Sequence, residues 1–214
     1  MRCQTPYRPV CGAQPLLGTI NIVIYGLDIE TDTTTDGRNP YVSRVVAAAL
    51  VSQDGNALVF RDQNEIDLLS NLASHTSGLT AQDVVCTWNG SGFDLPFISI
   101  RAEILGLNLG WDVWRSSRPA KYEPVGYDFS MRAKIGLASH MDIAPAYKEV
   151  ASSLGCDWSL KPVCNALGFE PVSVDRERIH ELSLEELDAY VASDSFYTAL
   201  LGEFILRDTV VWLD

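Results

Sequence analysis

The chain has 214 residues and a mass of 23.6 kDa, and its composition, 47% hydrophobic and 21% charged, is that of a globular protein able to bury a substantial core. The formal net charge of −12 disfavours broad electrostatic adhesion to nucleic acid or to an anionic membrane, and no apolar run is long enough to span a bilayer. The five cysteines form no CxxC pair, which argues against a zinc site or a disulfide framework and leads us to expect a cytoplasmic protein.

The first part of the chain predicts a set of strands. Residues 1–18 contain three prolines and no periodic pattern, and we expect them to form an irregular lead-in to one domain over residues 19–214. An apolar run predicts a strand over about residues 20–29, and strand-like runs follow at 43–52 and 57–61. The Asp-Gly pair between these two runs is typical of a tight turn, so we expect an antiparallel meander of three strands.

The rest of the chain alternates between helix and strand patterns, apart from a middle stretch, residues 106–140, with weak periodicity and many turn formers. Ser183 and Glu186 have the spacing of a capping box, which marks the start of the last helix. In chain order we predict a helix over 65–73, a short buried strand over 83–88, helices over 94–105, 143–153 and 160–167, and a final helix that ends near 206. This order predicts an α/β fold in which helices cover a mixed sheet.

Two acids follow the first apolar run directly, in the stretch YGLDIETDTT, residues 25–34. Side chains of a strand alternate between faces, so Asp28 and Glu30 share one face. Their backbones lie only about 7 Å apart, and in a partly buried place their repulsion raises at least one pKa unless a cation lies between them. Two interpretations are open: the strand has reached solvent, or the two acids form half of a cation site.

A third acid, Asp94, follows a buried strand that turns through WNGSGFDLPFI, residues 88–98. Pro96 in the next positions is typical of the first turn of a helix. Aspartate caps helices well and suits the positive end of the helix dipole, so a structural role and a ligand role are both open for Asp94.

The fourth acid, Asp194, lies in the final helix. The helical spacing places it and the Tyr190 hydroxyl in a stripe that is otherwise apolar and that faces the core. A buried charge requires a partner, and no lysine or arginine occurs between Arg178 and Arg207. We therefore expect a metal ion to be that partner. Four carboxylates without a histidine or thiolate cluster suit Mg²⁺ or Mn²⁺.

The sequence resembles the DEDD superfamily of 3'-5' exonucleases, which have a ribonuclease H-like fold. LDIET is similar to the first motif of that superfamily, NGSGFDLPF to the second, and residues 190–194, YVASD, to the tyrosine form of the third. The second motif looks most like the exonuclease domain of family B DNA polymerases, and SHMDIAPAYK and LKPVCNALGF are similar to intervening segments of that group. A polymerase domain does not fit in 214 residues, so we expect a free-standing enzyme. The resemblance implies a mixed sheet whose first three strands are antiparallel and whose later strands are parallel.

The resemblance also assigns roles to residues. It implies that two divalent ions are held by Asp28, Glu30, Asp94 and Asp194, one activating a water and the other stabilising the leaving oxygen. Tyr190 would orient the attacking water, because its ordinary pKa of about 10 makes it a poor base at neutral pH.

Other residues carry weaker assignments. Asn89, Phe93 and Thr31 are candidate substrate contacts, although a turn-forming Asn and a core Phe are equally good interpretations. We expect Asp142 to be structural, and Lys161 either contacts a phosphate or covers the surface.

A basic and aromatic segment, residues 101–134, stands out in this acidic chain, with six basic residues against four acids. Its tryptophans and tyrosines suit stacking on a single strand, and an ordinary insertion whose tryptophans are core is the alternative.

We expect hydrolysis at the 3' end of single-stranded DNA with release of mononucleotides. The alternatives are a substrate of RNA or short oligonucleotides, or a non-catalytic nucleic-acid-binding module of the same fold. The oligomeric state is not readable from the sequence.

Overall fold

The computed structural model describes residues 22–116 and 129–211, with side chains up to Arg207. The predicted lead-in, residues 1–18, and the centre of the basic and aromatic segment, residues 117–128, lie outside the described residues.

A mixed seven-stranded sheet forms the centre of the described residues, and its strand order is β3-β2-β1-β4-β7-β6-β5. The strands are β1 (Ile24–Thr31), β2 (Val45–Ser52), β3 (Ala57–Phe60), β4 (Val84–Thr87), β5 (Asp112–Arg115), β6 (Met131–Ile135) and β7 (Ala138–Asp142). The first three strands are antiparallel, β1 pairs in parallel with β4 and β4 with β7, and β7, β6 and β5 are again antiparallel. The predicted α/β fold with a mixed sheet is confirmed, and the parallel pairing predicted for the later strands holds for β4 and β7 but not for β5 and β6.

Helices cover both faces of the sheet. They are α1 (Glu65–Thr76), α2 (Asp94–Leu105), α3 (Lys148–Leu154), α4 (Leu160–Ala166) and α5 (Leu184–Val211), with 3-10 helices at Ala144–Tyr147 and Arg176–Glu181. The predicted capping box is present, since Ser183 Oγ accepts from the Glu186 amide at 3.2 Å and the Glu186 carboxylate accepts from the Ser183 amide at 2.8 Å. No helix within the described ranges is both long and apolar enough to cross a membrane.

No strand was predicted in the middle stretch, residues 106–140, which contains β5, β6 and most of β7. All four residues of β5 are exposed, and β6 carries the exposed Arg132 and Lys134 between buried residues. Short strands with a charged face lack the apolar pattern from which a strand is predicted. Here the strands form because β6 pairs with β7 and β5 pairs with β6.

The basic and aromatic segment divides between structural and exposed side chains. The Arg101 guanidinium forms a buried ion pair with Glu65 at 2.6 Å and also donates to the Pro40 carbonyl at 2.9 Å, so Arg101 belongs to the fold. Trp111 donates from Nε1 to Thr76 Oγ1 at 2.9 Å and packs on the core, as an ordinary insertion requires. Trp114, in contrast, is 47% exposed.

Helix α5 touches β1 backbone to backbone at Gly26. A Cβ atom added at Gly26 would lie 1.8 Å from the Ser195 carbonyl oxygen and 2.9 Å from the Ala199 nitrogen. The side chain of Ser195 also donates to the Ala49 carbonyl of β2 at 3.1 Å. This close approach places the residue before Ser195, Asp194, beside the acids of β1.

The Gly26→Ala variant is expected to lose about 3 kcal/mol of unfolding free energy, because a methyl group in this contact forces the helix away from the strand. Urea denaturation of the variant and the parent measures the loss. Gly78→Ala is the matched control, since its Cβ would meet only the His75 carbonyl at an ordinary 3.5 Å. Equal stability of the two variants would contradict the close packing.

Candidate active site

Three carboxylates meet at one end of the sheet. Strand β1 supplies Asp28 and Glu30 from the same face, and α5 supplies Asp194. Each contributes an oxygen atom, and these oxygens all lie within 4.8 Å of one another. Two neighbouring elements held in backbone contact thus bring together acids that are far apart in the sequence.

The fourth carboxylate, that of Asp94, comes from a third element, helix α2. This aspartate is the first residue of α2, whose N-cap is Phe93, so Asp94 is not the capping residue that one interpretation required. Its buried Oδ1 accepts a hydrogen bond from the Ile29 amide of β1 at 3.2 Å. The pairing of β1 with β4 ends at Gly26 and Cys86, so no residue of β4 lies opposite Ile29. Asp94, which follows β4 in the chain, accepts from the Ile29 amide in place of a strand residue.

The four acids repel one another. Burial raises the pKa of Asp28 well above its usual range, and Glu30, Asp94 and Asp194 add to the rise. Burial, with the Asp194 charge, raises the pKa of Glu30 to about 8, and burial raises that of Asp94 to about 7. A cation within this group would remove most of the repulsion.

Asp194 has two cationic partners that the sequence argument missed. Lys161 Nζ of α4 lies 3.3 Å from Oδ1, and an Arg176 amino group lies 3.8 Å from Oδ2. The search for a lysine or arginine within the final helix was therefore too narrow, because both partners come from preceding elements. The premise that only a metal could balance Asp194 was wrong. The two cations oppose the rise that burial causes in the Asp194 pKa.

The donor set nevertheless fits a hard divalent cation. Asp194 Oδ1 is buried, and its contact with the Lys161 ammonium, at 3.3 Å, is longer than an ordinary charged hydrogen bond. The Lys161 ammonium donates to the Val172 carbonyl at 2.6 Å. Four clustered carboxylates and a buried oxygen that is only weakly bonded suit Mg²⁺ or Mn²⁺ rather than zinc or copper.

Tyr190 lies one turn before Asp194 and is 1% exposed. Its hydroxyl accepts a hydrogen bond from Arg176 Nε at 3.1 Å, and the Lys161 ammonium lies 3.8 Å from the centre of its ring. Burial and the charges of Glu30 and Asp194 raise the pKa of Tyr190 above its usual range. The phenol therefore stays protonated at neutral pH and is available as a hydrogen-bond donor.

The loop between β4 and α2 is held by a carboxylate. Asp142 accepts from the Asn89 amide at 2.9 Å, from the Ser91 amide at 3.1 Å and from the Ala144 amide at 3.3 Å. Asn89 has a φ of 64°, a left-handed conformation that asparagine tolerates better than most residues. These contacts support a structural role for Asp142 and a turn-forming role for Asn89.

The remaining candidate contacts lie around the same cavity, which has a volume of about 680 Å³. Thr31 donates its hydroxyl to the Gly37 carbonyl at 2.6 Å, so that hydroxyl already serves the turn that follows β1. Phe93 is half-buried and packs on Phe97, with ring centres 5.5 Å apart. Asn89, Thr31 and Phe93 all line the cavity together with the four acids.

Arg176 is the site residue that sequence reasoning overlooked. It lines the cavity and contacts both Tyr190 and Asp194, and it comes from a short 3-10 helix with no motif of its own. Its position depends on the path that residues 170–183 take past Asp194, and no periodic sequence pattern predicts that path.

Comparison with known proteins agrees with this arrangement. The family model "DNA polymerase family B, exonuclease domain" matches residues 21–163, more than half of the chain. The chain belongs to this family. The predicted resemblance to the family B exonuclease domain is thereby confirmed. The matched range contains Asp28, Glu30 and Asp94, and it ends before Tyr190 and Asp194.

Relatives of this chain include DNA polymerases. The chain is 29% identical over 154 residues to the catalytic polypeptide of DNA polymerase epsilon from Schizosaccharomyces pombe, and the match covers 69% of this chain and 6% of that protein. It is 22% identical over 188 residues to a DNA polymerase of Methanocaldococcus jannaschii, and this match covers 83% of this chain and 11% of the other. The chain therefore spans only a small part of these relatives.

A solved structure shares the fold. The family B DNA polymerase from Pyrobaculum calidifontis superposes with a TM-score of 0.62 at 21% identity, over 86% of this chain and 24% of that one. At 21% sequence identity, this structural similarity supports a shared fold only.

Proposed function

We propose that residues 19–214 act as a divalent-metal 3'-5' exonuclease domain that hydrolyses phosphodiester bonds at the 3' end of single-stranded DNA and releases nucleoside monophosphates. The observation that carries the proposal is the meeting of Asp28, Glu30 and Asp194 within 4.8 Å, beside buried Asp94, in a cavity at the end of the sheet. Membership of the exonuclease-domain family supports the same chemistry.

The four carboxylates would hold two ions, Mg²⁺ or Mn²⁺, which when bound supply an activated water and charge stabilisation at the leaving oxygen. The protein residues have separate tasks. The protonated Tyr190 hydroxyl orients the attacking water. Arg176 fixes that hydroxyl and, at the mouth of the cavity, offers a positive charge to the phosphate.

The direct test is the release of mononucleotides from a 3'-labelled single strand in Mg²⁺ or Mn²⁺, compared with the same strand in EDTA. Labelled duplex DNA and single-stranded RNA of the same sequence are run in parallel. We expect metal-dependent release that is fastest on single-stranded DNA. Release that EDTA leaves unchanged would overturn the proposal.

One observation favours the alternative, a non-catalytic nucleic-acid-binding module. Lys161 and Arg176 already lie beside Asp194, as cations would in a site that no longer binds metal. The alternative predicts that Mn²⁺ does not change the melting temperature, whereas metal binding at the acids raises it.

The Tyr190→Phe variant is expected to lower kcat about 10- to 100-fold, because the water loses the donor that orients it. Since the phenol is not the base, the shape of the pH–rate profile should stay that of the parent. Measurement of kcat between pH 6 and pH 9 checks both statements. Tyr197→Phe, at a half-buried tyrosine of the same helix away from the acids, is the control and should leave kcat unchanged. Loss of one limb of the profile in Tyr190→Phe would instead make Tyr190 the base.

A further inference from the structure

A second cavity, of about 440 Å³, lies beside the candidate active site. Asn89 and Gly92 of the loop between β4 and α2 line both cavities, so the two are separated only by this loop. A volume of this size is in the range of small-ligand sites.

One face of the β5–β6–β7 edge forms the wall of this second cavity. In β6, Ala133 and Ile135 point into the core, so alternation directs Arg132 and Lys134 to the opposite face. Trp114 of β5 pairs with Arg132 in the strand register and therefore lies on the same face. Helix α5 packs mainly over β1, β2 and β4. The cavity lining includes the Trp114 ring and the two cations, and its one carboxylate, Asp142, already accepts from three backbone amides.

Within residues 22–116 and 129–207, the two cations of this wall have no carboxylate partner. Of the twelve lysines and arginines in the described residues, seven lie within 4.0 Å of a carboxylate: Arg44, Arg61, Arg101, Lys161, Arg176, Arg178 and Arg207. Arg132 and Lys134 form no ion pair within the same part of the chain, and both are exposed. In a protein with a net charge of −12, two such neighbouring cations mark a local site for anions.

We propose that this cavity binds the nucleotides that precede the 3' end of the same strand, with Arg132 and Lys134 on phosphates and Trp114 stacked on a base. The inference rests on the proposed function and specifies its substrate: single strands several nucleotides long, in preference to small nucleotide esters. Aromatic stacking combined with a few phosphate contacts is how proteins hold single strands without reading their sequence. Adjacency of the cavities lets one strand occupy both.

Binding is measured first, in EDTA, with a fluorescent thymidine octanucleotide and a dinucleotide as ligands. Trp114→Ala is expected to weaken octanucleotide binding about 5- to 100-fold, the contribution of one stacked base. The double variant Arg132→Ala/Lys134→Ala should reduce the slope of log K against log salt by about 1.4, as the loss of two phosphate contacts on a single strand requires. Arg207→Ala, which removes an exposed cation of α5, is the control and should leave both quantities unchanged.

Hydrolysis is measured next, on the octanucleotide and on the p-nitrophenyl ester of thymidine 5'-monophosphate, which reaches only the active site. The cavity variants should raise KM for the octanucleotide and leave turnover of the ester at the parental rate. Because Trp114, Arg132 and Lys134 are exposed, the variants should keep the parental melting temperature.

The outcomes separate the two proposals. If the parent hydrolyses both substrates and the cavity variants bind the octanucleotide as well as the parent does, the second cavity is not a strand site and this inference is overturned, while the proposed function stands. If the parent hydrolyses neither substrate but the variants lose octanucleotide binding, the proposed function fails and the strand site is supported.

Discussion

The Asp28→Asn variant should lose at least about 10³-fold in the rate of mononucleotide release while its metal-free form becomes more stable at neutral pH. Both effects have the same origin. Three other carboxylates lie near Asp28 and raise its pKa together with burial, so its charge destabilises the metal-free fold. The same charge is needed when divalent ions are bound, because asparagine is a weaker ligand.

Release from a 3'-labelled strand in Mn²⁺ measures the first effect, and thermal unfolding in EDTA at pH 7.5 measures the second. Glu185→Gln serves as the control, since it removes one exposed carboxylate at the start of α5 without touching the site. A variant with parental activity would remove Asp28 from the site. A variant that is inactive and also less stable in EDTA would mean that Asp28 supports the fold instead.

The second large effect is a fall in the stability of the metal-free protein as pH rises, which bound metal should remove. The unfolded chain releases the protons of its acids near pH 4, whereas the folded protein keeps those of Glu30 and Asp94 up to about pH 8 and about pH 7. Between these values the folded state binds more protons than the unfolded state, so the stability of the metal-free protein falls as pH rises from about 4 to about 8. The loss amounts to several kcal/mol.

Melting temperatures in EDTA and in 1 mM Mn²⁺, from pH 5.5 to pH 8, provide the measurement. We expect a falling curve in EDTA, a nearly level one in Mn²⁺, and the largest gain from metal at the alkaline end. Asp28→Asn should flatten the EDTA curve, because one source of repulsion is gone. A level EDTA curve in the parent would show that the acids are not crowded as described.

The sequence was most informative where a local pattern also determines the tertiary contact. Helix α2 begins and ends at the predicted residues, 94 and 105, because Pro96 and the left-handed Gly106 mark its two ends. The apolar stripe of α5 likewise predicted that Tyr190 and Asp194 are buried, since a helix face that packs on a sheet carries its polar residues inward with it.

Other features depend on contacts that no local pattern records. Lys161 and Arg176 reach Asp194 from α4 and a 3-10 helix, which lie 33 and 18 positions earlier in the chain, and only the packing of the end of the sheet brings them there. The edge strands β5 and β6 carry exposed residues, Arg132 and Lys134 among them, on the face opposite the core. Their sequence therefore lacks the apolar pattern from which a strand is predicted.

The contact at Gly26 limits which motions the candidate active site can make. Rigid elements whose main chains already touch have no freedom to approach or slide, so the gap between the acids of β1 and that of α5 is fixed during folding and not by the arrival of substrate. Asp94 is held differently, since it meets β1 through a side-chain hydrogen bond to the Ile29 amide and its loop is fixed by Asp142. Under the proposed function, the spacing between these acids would therefore be the same for every 3' end that enters the cavity.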